Sequence, residues 1–346
     1  MLKQLERLGR RQLVRLLCGL KRRKAALPDK VEKVLVVRQD ERLGNLVLIT
    51  PFLENLKKIY PDATVAVVAP AVFSDIVRYH PAVSRIFEVR KREFALNPLS
   101  FFKLILQLRR ERFDIAFDLS HFDSVSVNNI LYTLLPAPRF SVGFDRGKWS
   151  EFLDLSVPTP DGAEYEAYSF LRLLEPFSSS VVRIPPRVYI DDRSRISAQK
   201  FFDENKLEAK IIGLHIGGRG RKKLPVGFWE DFLLRFPDLP KVVFWGKTEE
   251  KDVEYLKKRD IPNTYFFPLS PVLTVGAALE KLSVFVSCDT GIMHLAGCIQ
   301  PLHQIGIFVS SDAARFSPRK QNFVAISGEP NLNELIEKMS KILDTI

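Results

Sequence analysis

Cysteine is scarce in this chain, with three residues among 346: Cys18, Cys288 and Cys298. They are too few and too scattered for a disulfide framework, and no pair has the spacing of a metal site. No run approaches the roughly 20 apolar residues that a membrane-spanning helix needs. The N-terminus also lacks the apolar core and small-residue cleavage site of a secretory signal. These absences predict a cytoplasmic protein with reduced thiols.

Positive charge is concentrated at the start of the chain. The formal net charge is +11, from 52 Lys and Arg against 41 Asp and Glu. Residues 1–24 contain nine basic residues and one acid, so this segment alone carries +8. The rest of the chain is nearly balanced, which argues against a nucleic-acid-binding body. The expected anionic partners are a membrane surface and phosphorylated small molecules.

The basic segment also has an apolar stripe, because Leu13, Leu16, Leu17 and Leu20 recur at helical spacing. A helix of this kind can lie in a bilayer interface that contains anionic lipids. The alternative is a solvated leader that docks onto its own domain. We favour a basic amphipathic leader helix within residues 1–28 that associates peripherally with the inner membrane.

Beyond Pro28 the pattern changes to alternating strands and helices. The β-branched run at residues 34–37 is typical of a strand buried on both faces. A helix predicted over residues 46–60 and a strand over 64–68 complete a βαβ unit. Later strands are predicted at 86–89, 115–118, 140–143, 211–216, 241–245, 284–287 and 303–308. Later helices are predicted at 99–110, 227–234, 249–259, 272–281, 292–298 and 332–343.

The alternation restarts after a Pro-rich stretch at residues 184–186 and a polar segment at 191–195, which mark a domain boundary. Two consecutive βα-repeating halves predict an α/β protein with two Rossmann-like parallel-sheet domains facing a central cleft. The predicted domains are residues 29–186 and 187–346.

The strongest local signal is the turn Asp289-Thr290-Gly291, which follows a predicted strand and opens directly into a helix. Doubly wound sheets bind ligands at such strand ends, and helix N-terminal amides favour phosphate. Asp289 or Thr290 could cap the helix, and Gly291 would let a ligand approach the backbone. His294 would then lie one turn into the helix. This combination favours a ligand site over an ordinary N-cap with a satisfied histidine.

A second signal is the loop from Gly217 to Lys223, which contains three glycines and four basic residues. Such a loop after a strand can cradle a diphosphate. Its spacing is neither that of a Walker P-loop nor that of a GxGxxG fingerprint. For Arg219 and Arg221, an exposed basic turn remains the alternative.

A third signal follows the first strand, where Asp40 and Glu41 lie beside Arg38 and Arg42. At the carboxyl end of a strand, paired acids could activate a hydroxyl, and arginines could hold an anionic acceptor. The alternative is a salt-bridged loop in which Asn45 caps the next helix. Spacing alone does not separate these two interpretations.

These three blocks, in this order, resemble the ADP-heptose–lipopolysaccharide heptosyltransferase family, glycosyltransferase family 9. The family's most specific element, Asp-Thr-Gly-x-x-His-Leu, is matched fully from Asp289 to Leu295. Other matching elements are Arg38, Gly44-Asn45, Thr50-Pro51, His215-Ile216-Gly217, Lys222, Leu224-Pro225, Trp245-Gly246 and Glu249-Glu250. The resemblance extends from about residue 34 to the C-terminus.

The resemblance implies a GT-B glycosyltransferase with an N-terminal acceptor domain and a C-terminal nucleotide-sugar domain. It implies inverting transfer of a heptose or related sugar from an ADP-sugar to a lipopolysaccharide inner-core acceptor of the lipid A–Kdo type, with no metal or other cofactor. By position, the donor-binding residues would be Gly217, Gly218, Lys222, Glu249, Glu250, Asp289, Thr290, Gly291 and His294. The acceptor-binding residues would be Arg38, Arg42, His121 and Arg146, with a surface-loop histidine as the alternative for His121.

One position departs from the family pattern. The family's proposed catalytic base is the Asp of a Gly-Asp turn, and this chain has Asn45 there. A neutral amide can orient a hydroxyl but cannot take its proton. Asp40 or Glu41 on the same loop could substitute. A degenerate non-catalytic homologue and a GT-B-like sugar-nucleotide epimerase remain alternatives, whereas a nicotinamide dehydrogenase is disfavoured because no GxGxxG turn occurs.

Overall fold

The structure is a computed structural model that describes residue 12 and residues 24–160, 164–208 and 210–346. The predicted leader helix therefore falls outside the described residues, apart from Gln12 and residues 24–28. The chain divides into two compact units, Met1–Ile184 and Pro185–Ile346. None of the helices in the described parts of the chain has the length and apolar character needed to span a bilayer.

Unit 1 is built on a six-stranded sheet in which every neighbouring pair is parallel. Its strands are β1 (Lys33–Val37), β2 (Thr64–Pro70), β3 (Arg85–Val89), β4 (Ile115–Asp118), β5 (Phe140–Phe144) and β6 (Leu155–Val157). Its helices are α1 (Leu43–Leu48), α2 (Thr50–Ile59), α3 (Asp75–Arg78), α4 (Lys91–Leu96), α5 (Pro98–Glu111), α6 (Val127–Leu134) and α7 (Glu166–Ser169). Short 3₁₀ helices occur at Gly147–Phe152 and Phe170–Leu173.

Unit 2 has a second six-stranded parallel sheet. Its strands are β7 (Ile212–His215), β8 (Lys241–Phe244), β9 (Thr264–Phe266), β10 (Val284–Cys288), β11 (His303–Phe308) and β12 (Phe323–Ser327). Its helices are α8 (Asp192–Glu204), α9 (Val226–Leu234), α10 (Glu250–Lys257), α11 (Val272–Leu279), α12 (Gly291–Gly297), α13 (Ala313–Phe316) and α14 (Leu332–Leu343). Short 3₁₀ helices occur at Gly220–Lys222 and Lys247–Glu249.

The two sheets have the same strand order. Counted within each unit, both follow the order 3-2-1-4-5-6, so β1 pairs with β4 in unit 1 and β7 pairs with β10 in unit 2. In a doubly wound sheet the order reverses between the first and fourth strands, and ligands bind beyond the carboxyl ends of those strands. The predicted pair of Rossmann-like parallel sheets is confirmed, and its topology identifies where a site should lie in each unit.

Apolar residues at the expected periods form the core. Every residue from Val34 to Val37 is fully buried, because β1 is central and covered on both faces. In unit 2, Leu335, Met339 and Ile342 recur at helical spacing on α14 and pack into the core with strands β7 and β10. Among the described residues, these sequence patterns predicted nine of the twelve strands and six of the fourteen α-helices to within two residues.

Two local predictions are wrong. The helix expected over residues 46–60 begins at Leu43 and is interrupted at Ile49, because Pro51 in the first turn of α2 has no N–H to continue α1. Asn45 consequently lies inside α1 and is not its N-cap. The polar segment at residues 191–195, for which no element was predicted, begins α8: Asp191 caps this helix by accepting a hydrogen bond from the backbone N of Ser194 at 3.0 Å.

Three strands were not predicted. They are β6, β9 and β12, which occupy edges of the two sheets. Each is short or partly exposed, so none produces the continuous apolar run of a central strand.

Candidate functional site

Arg38 joins the loops that follow β1 and β4 in unit 1. Its side chain is 1% exposed. Its Nε lies 2.7 Å from Oδ1 of Asp40, and a terminal nitrogen donates to the carbonyl oxygen of Leu119. The guanidinium carbon also lies 5.4 Å from the centre of the Phe170 ring. These contacts hold the arginine in one orientation beside the topological switch point.

His121 continues this network into the interior. A terminal nitrogen of Arg38 contacts Nε2 of His121 at 2.7 Å, and Nδ1 of the same ring contacts the fully buried carboxylate of Glu166. Since Arg38 can only donate, Nε2 accepts and Nδ1 carries the proton that is donated to Glu166. Burial lowers the pKa of His121, the charge of Arg38 adds to this, and Glu166 opposes both. His121 is therefore neutral, and each of its two ring nitrogens forms a hydrogen bond within unit 1. It is not a surface-loop histidine.

Asp40 is the more constrained of the two predicted acids. Its carboxylate is 27% exposed and is held between Arg38 and the side-chain amide of Asn45, which donates to Oδ2. The backbone N–H of Arg42 donates to the carbonyl of Asp40 at 2.7 Å, which folds the loop back on itself. Glu41 is 44% exposed, and its nearest described cation, Lys91, is 3.8 Å away.

A second buried network surrounds Asp118 at the end of β4. One carboxylate oxygen accepts hydrogen bonds from the backbone N and Oγ of Ser120 at 3.0 and 2.6 Å. The other is paired with Arg146, which also donates to the carbonyl of Ser124 at 3.2 Å. Asn129 donates to Ser120 Oγ at 2.9 Å. Arg146 was predicted to meet the acceptor, but the structure places it in an internal ion pair.

Asp289 organises the candidate site of unit 2. It follows β10, is 6% exposed, and contacts Nζ of Lys222 and, at 3.5 Å, Nε2 of His294. Burial acts to raise the pKa of this carboxyl, but His294 and Lys222 outweigh it, so the pKa lies well below its usual range. Asp289 is therefore an anion that orients the side chains of Lys222 and His294. The side chain of Lys222 remains 36% exposed.

The side-chain cap considered for Asp289 or Thr290 does not form. Thr290 occupies the N-cap position of α12, but no side chain forms the capping hydrogen bond there. The Asp289 carboxylate is engaged by Lys222 and His294, while Thr290 Oγ1 lies 3.4 Å from Nδ1 of His215. Burial lowers the pKa of His215 to about 4, so this imidazole is neutral. Gly291 is the first residue of α12.

The loop after β7 is shaped by its own glycines. A Cβ on Gly218 would lie 2.8 Å from the Cα of Lys223. A Cβ on Gly217 would lie 2.6 Å from the His215 ring and 3.2 Å from Oε2 of Glu249. These positions therefore need glycine for the loop to pack, whether or not a ligand is bound.

The remaining predicted donor residues differ in exposure. Glu249 is buried, and its carboxylate accepts hydrogen bonds from the backbone N of Gly246 at 3.0 Å and from Thr248 Oγ1 at 2.7 Å. Glu250 is exposed at the start of α10. Lys223 is paired with Asp252 at 2.7 Å. Arg219 and Arg221 are exposed, as the alternative of a basic surface turn predicted.

With this geometry established, sequence comparison decides the family. Residues 101–343, more than half of the chain, match the family model of glycosyltransferase family 9 (heptosyltransferase). The chain belongs to glycosyltransferase family 9. It is thus a glycosyltransferase, and the predicted resemblance is confirmed. The chain matches no curated protein sequence.

Solved structures agree with this assignment at the level of fold. The family 9 glycosyltransferase from Veillonella parvula DSM 2008 is 17% identical with a TM-score of 0.75, covering 92% of both chains. The E. coli heptosyltransferase WaaC with ADP is 17% identical with a TM-score of 0.73, covering 90% of this chain and 99% of that chain. A UDP-GlcNAc 2-epimerase from Neisseria meningitidis is 14% identical, with a TM-score of only 0.52 over 90% of this chain and 91% of that chain. The GT-B fold of this family 9 enzyme is therefore confirmed.

Several side chains in these networks were not predicted from the sequence, among them Asp118, Glu166 and Phe316. Asp118 had a signal, because a carboxylate that ends an apolar strand needs specific partners. Glu166 and Phe316 had none. Glu166 lies 45 residues from His121, and Phe316, whose ring centre is 6.0 Å from Nζ of Lys222, lies on a four-residue helix beyond β11.

Proposed function

We propose that this enzyme transfers a heptose or related sugar from an ADP-sugar to a lipopolysaccharide inner-core acceptor of the lipid A–Kdo type, with inversion at the anomeric carbon. The observation that carries the proposal is the cluster of Lys222, Asp289 and His294 beyond the ends of β7 and β10. This cluster combines the family's most specific motif with the basic loop, at the position where doubly wound sheets bind nucleotides. ADP in the E. coli WaaC structure supports an adenine nucleotide as the donor.

The donor diphosphate would bind to Lys222, whose ammonium is accessible and is oriented by Asp289. A cation held in this way stabilises the negative charge that develops on the departing ADP.

The other donor-binding residues would contact different parts of the donor. Its phosphate and sugar would contact His294, Thr290 and Gly291. Gly217 and Gly218 would bring the backbone close to the diphosphate. Glu249 would contact the nucleoside, while the exposed Glu250 is the weaker candidate.

The acceptor hydroxyl would lose its proton to Asp40. Its oxygen forms a bond to the anomeric carbon as the bond from that carbon to the ADP oxygen breaks, and the electron pair leaves with ADP. Asp40 is preferred to Glu41 because Arg38 and Asn45 hold its carboxylate in one orientation.

The predicted acceptor-binding cations divide into two groups. Arg42 is exposed and would contact an acidic group of the acceptor. Arg38, His121 and Arg146 are bonded to one another or to buried carboxylates, so they would position the loop rather than bind the acceptor directly.

Residues 1–24 would keep the enzyme at the cytoplasmic surface of the inner membrane, where a lipid-linked acceptor is found. This proposal rests on their nine basic residues and leucine spacing. Deleting them should reduce partitioning onto anionic membranes, and unchanged partitioning would contradict it.

The experiment that tests the donor site is calorimetric binding of ADP, UDP, GDP and dTDP. We expect selective binding of ADP, weakened about tenfold or more in Lys222→Ala, because a charge-assisted phosphate contact is lost. Lys223→Ala is the matched control: it removes a lysine from the same loop, but one paired with Asp252 on α10 rather than with Asp289. Preference for another nucleotide would redirect the search to another sugar. Absence of all binding would favour the non-catalytic homologue.

The second step of the test uses ADP-heptose with and without a Kdo-bearing acceptor. Transfer that requires the acceptor is the expected result. Donor turnover without an acceptor would favour the epimerase alternative.

A further inference from the structure

Helix α5 buries one face in the core of unit 1. Leu104, Ile105 and Leu108 are at most 8% exposed and pack with residues of β1 and β2. Residues three and four apart on a helix share a face, so this single stripe is sufficient to dock the helix onto its sheet. Folding therefore gives no reason for a second apolar stripe on the same helix.

A second apolar stripe nevertheless faces solvent. Leu99, Phe102 and Leu106 are 74%, 56% and 55% exposed, and they are spaced three and four residues apart. Leu96, at the end of α4 just before, is 88% exposed. Scattered surface leucines are ordinary, but large apolar side chains aligned on one helical face mark an interaction surface.

Basic side chains border this stripe. With about 100° between successive residues, Lys103 and Arg110 lie on one side of it and Arg109 on the other. All three are exposed, and no ion pair within the described parts of the chain engages them. The acid at the end of α5, Glu111, is instead paired with Arg85 and Lys33.

We propose that this face of α5 docks onto the surface of an anionic lipid bilayer. An apolar stripe that includes an aromatic ring, bordered by cations, matches the chemistry of a bilayer interface, where acyl chains adjoin anionic headgroups. A water-soluble acidic partner would form ion pairs with the cations but would not bury the apolar area of the leucines. This surface is separate from residues 1–24, and it goes beyond the proposed function because docking is measured without any sugar transfer.

The first test is co-sedimentation of the full-length protein with vesicles of phosphatidylcholine containing phosphatidylglycerol. The double substitution Leu99→Gln and Leu106→Gln should weaken vesicle binding by about tenfold or more, because two interfacial side chains lose their apolar area. The matched control is Ile196→Gln with Leu234→Gln, which changes side chains that are 71% and 50% exposed in unit 2. The control should bind vesicles like the wild type.

The second test reports on the face directly. In Phe102→Trp, the added emission should shift to shorter wavelength on addition of the anionic vesicles, whereas a tryptophan introduced by Leu234→Trp should show no shift. Lys103→Gln with Arg110→Gln should reduce the preference for anionic over neutral vesicles while leaving the apolar contribution in place.

Several results would overturn the proposal. These are wild-type protein that does not bind vesicles, a leucine variant that binds as tightly as its control, or an unshifted Phe102→Trp emission. Sedimentation velocity tests whether the face instead binds a second copy of the chain. If the wild type self-associates and the leucine substitutions abolish this, the face is a dimer interface.

Discussion

The side-chain amide of Asn45 donates a hydrogen bond to the carboxylate of Asp40, five residues earlier in the chain. By the sequence resemblance, Asn45 stands where the family's proposed catalytic carboxylate is expected, and in this structure its amide holds the Asp40 carboxylate. A carboxylate at residue 45 would repel Asp40, because two acids that share a site do not readily ionise together. The amide is therefore compatible with the proposal that Asp40 is the catalytic base. Arg38 also holds the Asp40 carboxylate through an ion pair.

Substitution of the proposed base gives the most direct prediction. Asp40→Asn should lower kcat by roughly 10²–10⁴-fold, the usual contribution of a positioned general base. ADP binding should not change, because the proposed donor residues Lys222, Asp289 and His294 belong to unit 2. Steady-state transfer rates together with calorimetry check both parts. Glu41→Gln is the matched control, and a loss of rate in that variant but not in Asp40→Asn would identify Glu41 as the base.

Asn45→Asp gives a different kind of prediction. Two adjacent carboxylates would share a proton, so the acidic limb of the pH–rate profile should move to higher pH. Asn45→Ala should lower kcat by about tenfold and move that limb less than Asn45→Asp does, since it removes one hydrogen bond to the carboxylate but adds no second charge. A faster Asn45→Asp enzyme with an unmoved limb would show that the base belongs at residue 45.

The loop after β7 yields a prediction about glycine. Gly218→Ala should weaken ADP binding and lower stability, because the new Cβ would meet the backbone of Lys223 at 2.8 Å. Gly227→Ala is the control, since a Cβ there has no heavy atom within 4 Å and residue 227 lies in α9. That change should stabilise the fold by about 0.5–1 kcal/mol. Thermal unfolding and calorimetry separate the two variants, and equal behaviour would remove the steric argument.

His80 predicts a pH dependence of stability. It is 2% exposed, its Nδ1 accepts a hydrogen bond from the backbone N of Ala82 at 3.2 Å, and burial lowers its pKa to about 4. An unfolded histidine has a pKa of about 6.5, so the unfolded state takes up the proton first as the pH falls. The contribution of His80 to the free energy of unfolding is therefore fully present above about pH 6.5 and is lost as the pH falls toward 4. At about pH 5 the free energy of unfolding should be lower by about 2 kcal/mol than at neutral pH.

Urea unfolding of the wild type and His80→Gln across this range measures the effect. The variant should lose less stability between neutral and acidic pH, whatever its stability at neutral pH. Parallel pH profiles for the two proteins would assign the acid sensitivity to other groups, of which His215 is the next candidate.

The sequence by itself determined the elements whose residues interact locally. The β-branched run of β1 and the helical spacing of Leu335, Met339 and Ile342 predict buried elements, because burial of each depends on its own period. The motif from Asp289 to His294 likewise predicted a ligand site, since a turn that opens a helix has a local signature. Edge strands such as β6 were not predicted, because a short, partly buried strand has no continuous run of apolar residues.

Only the tertiary structure decided which side chains meet. Lys222 and Asp289 are 67 residues apart, and His121 and Glu166 are 45 apart. Their contacts follow from strand order and from the loops beyond the switch points, which no local period encodes. The same reason explains Asn45: its residue type suggested a helix cap, but the fold of the preceding loop turned its amide toward Asp40.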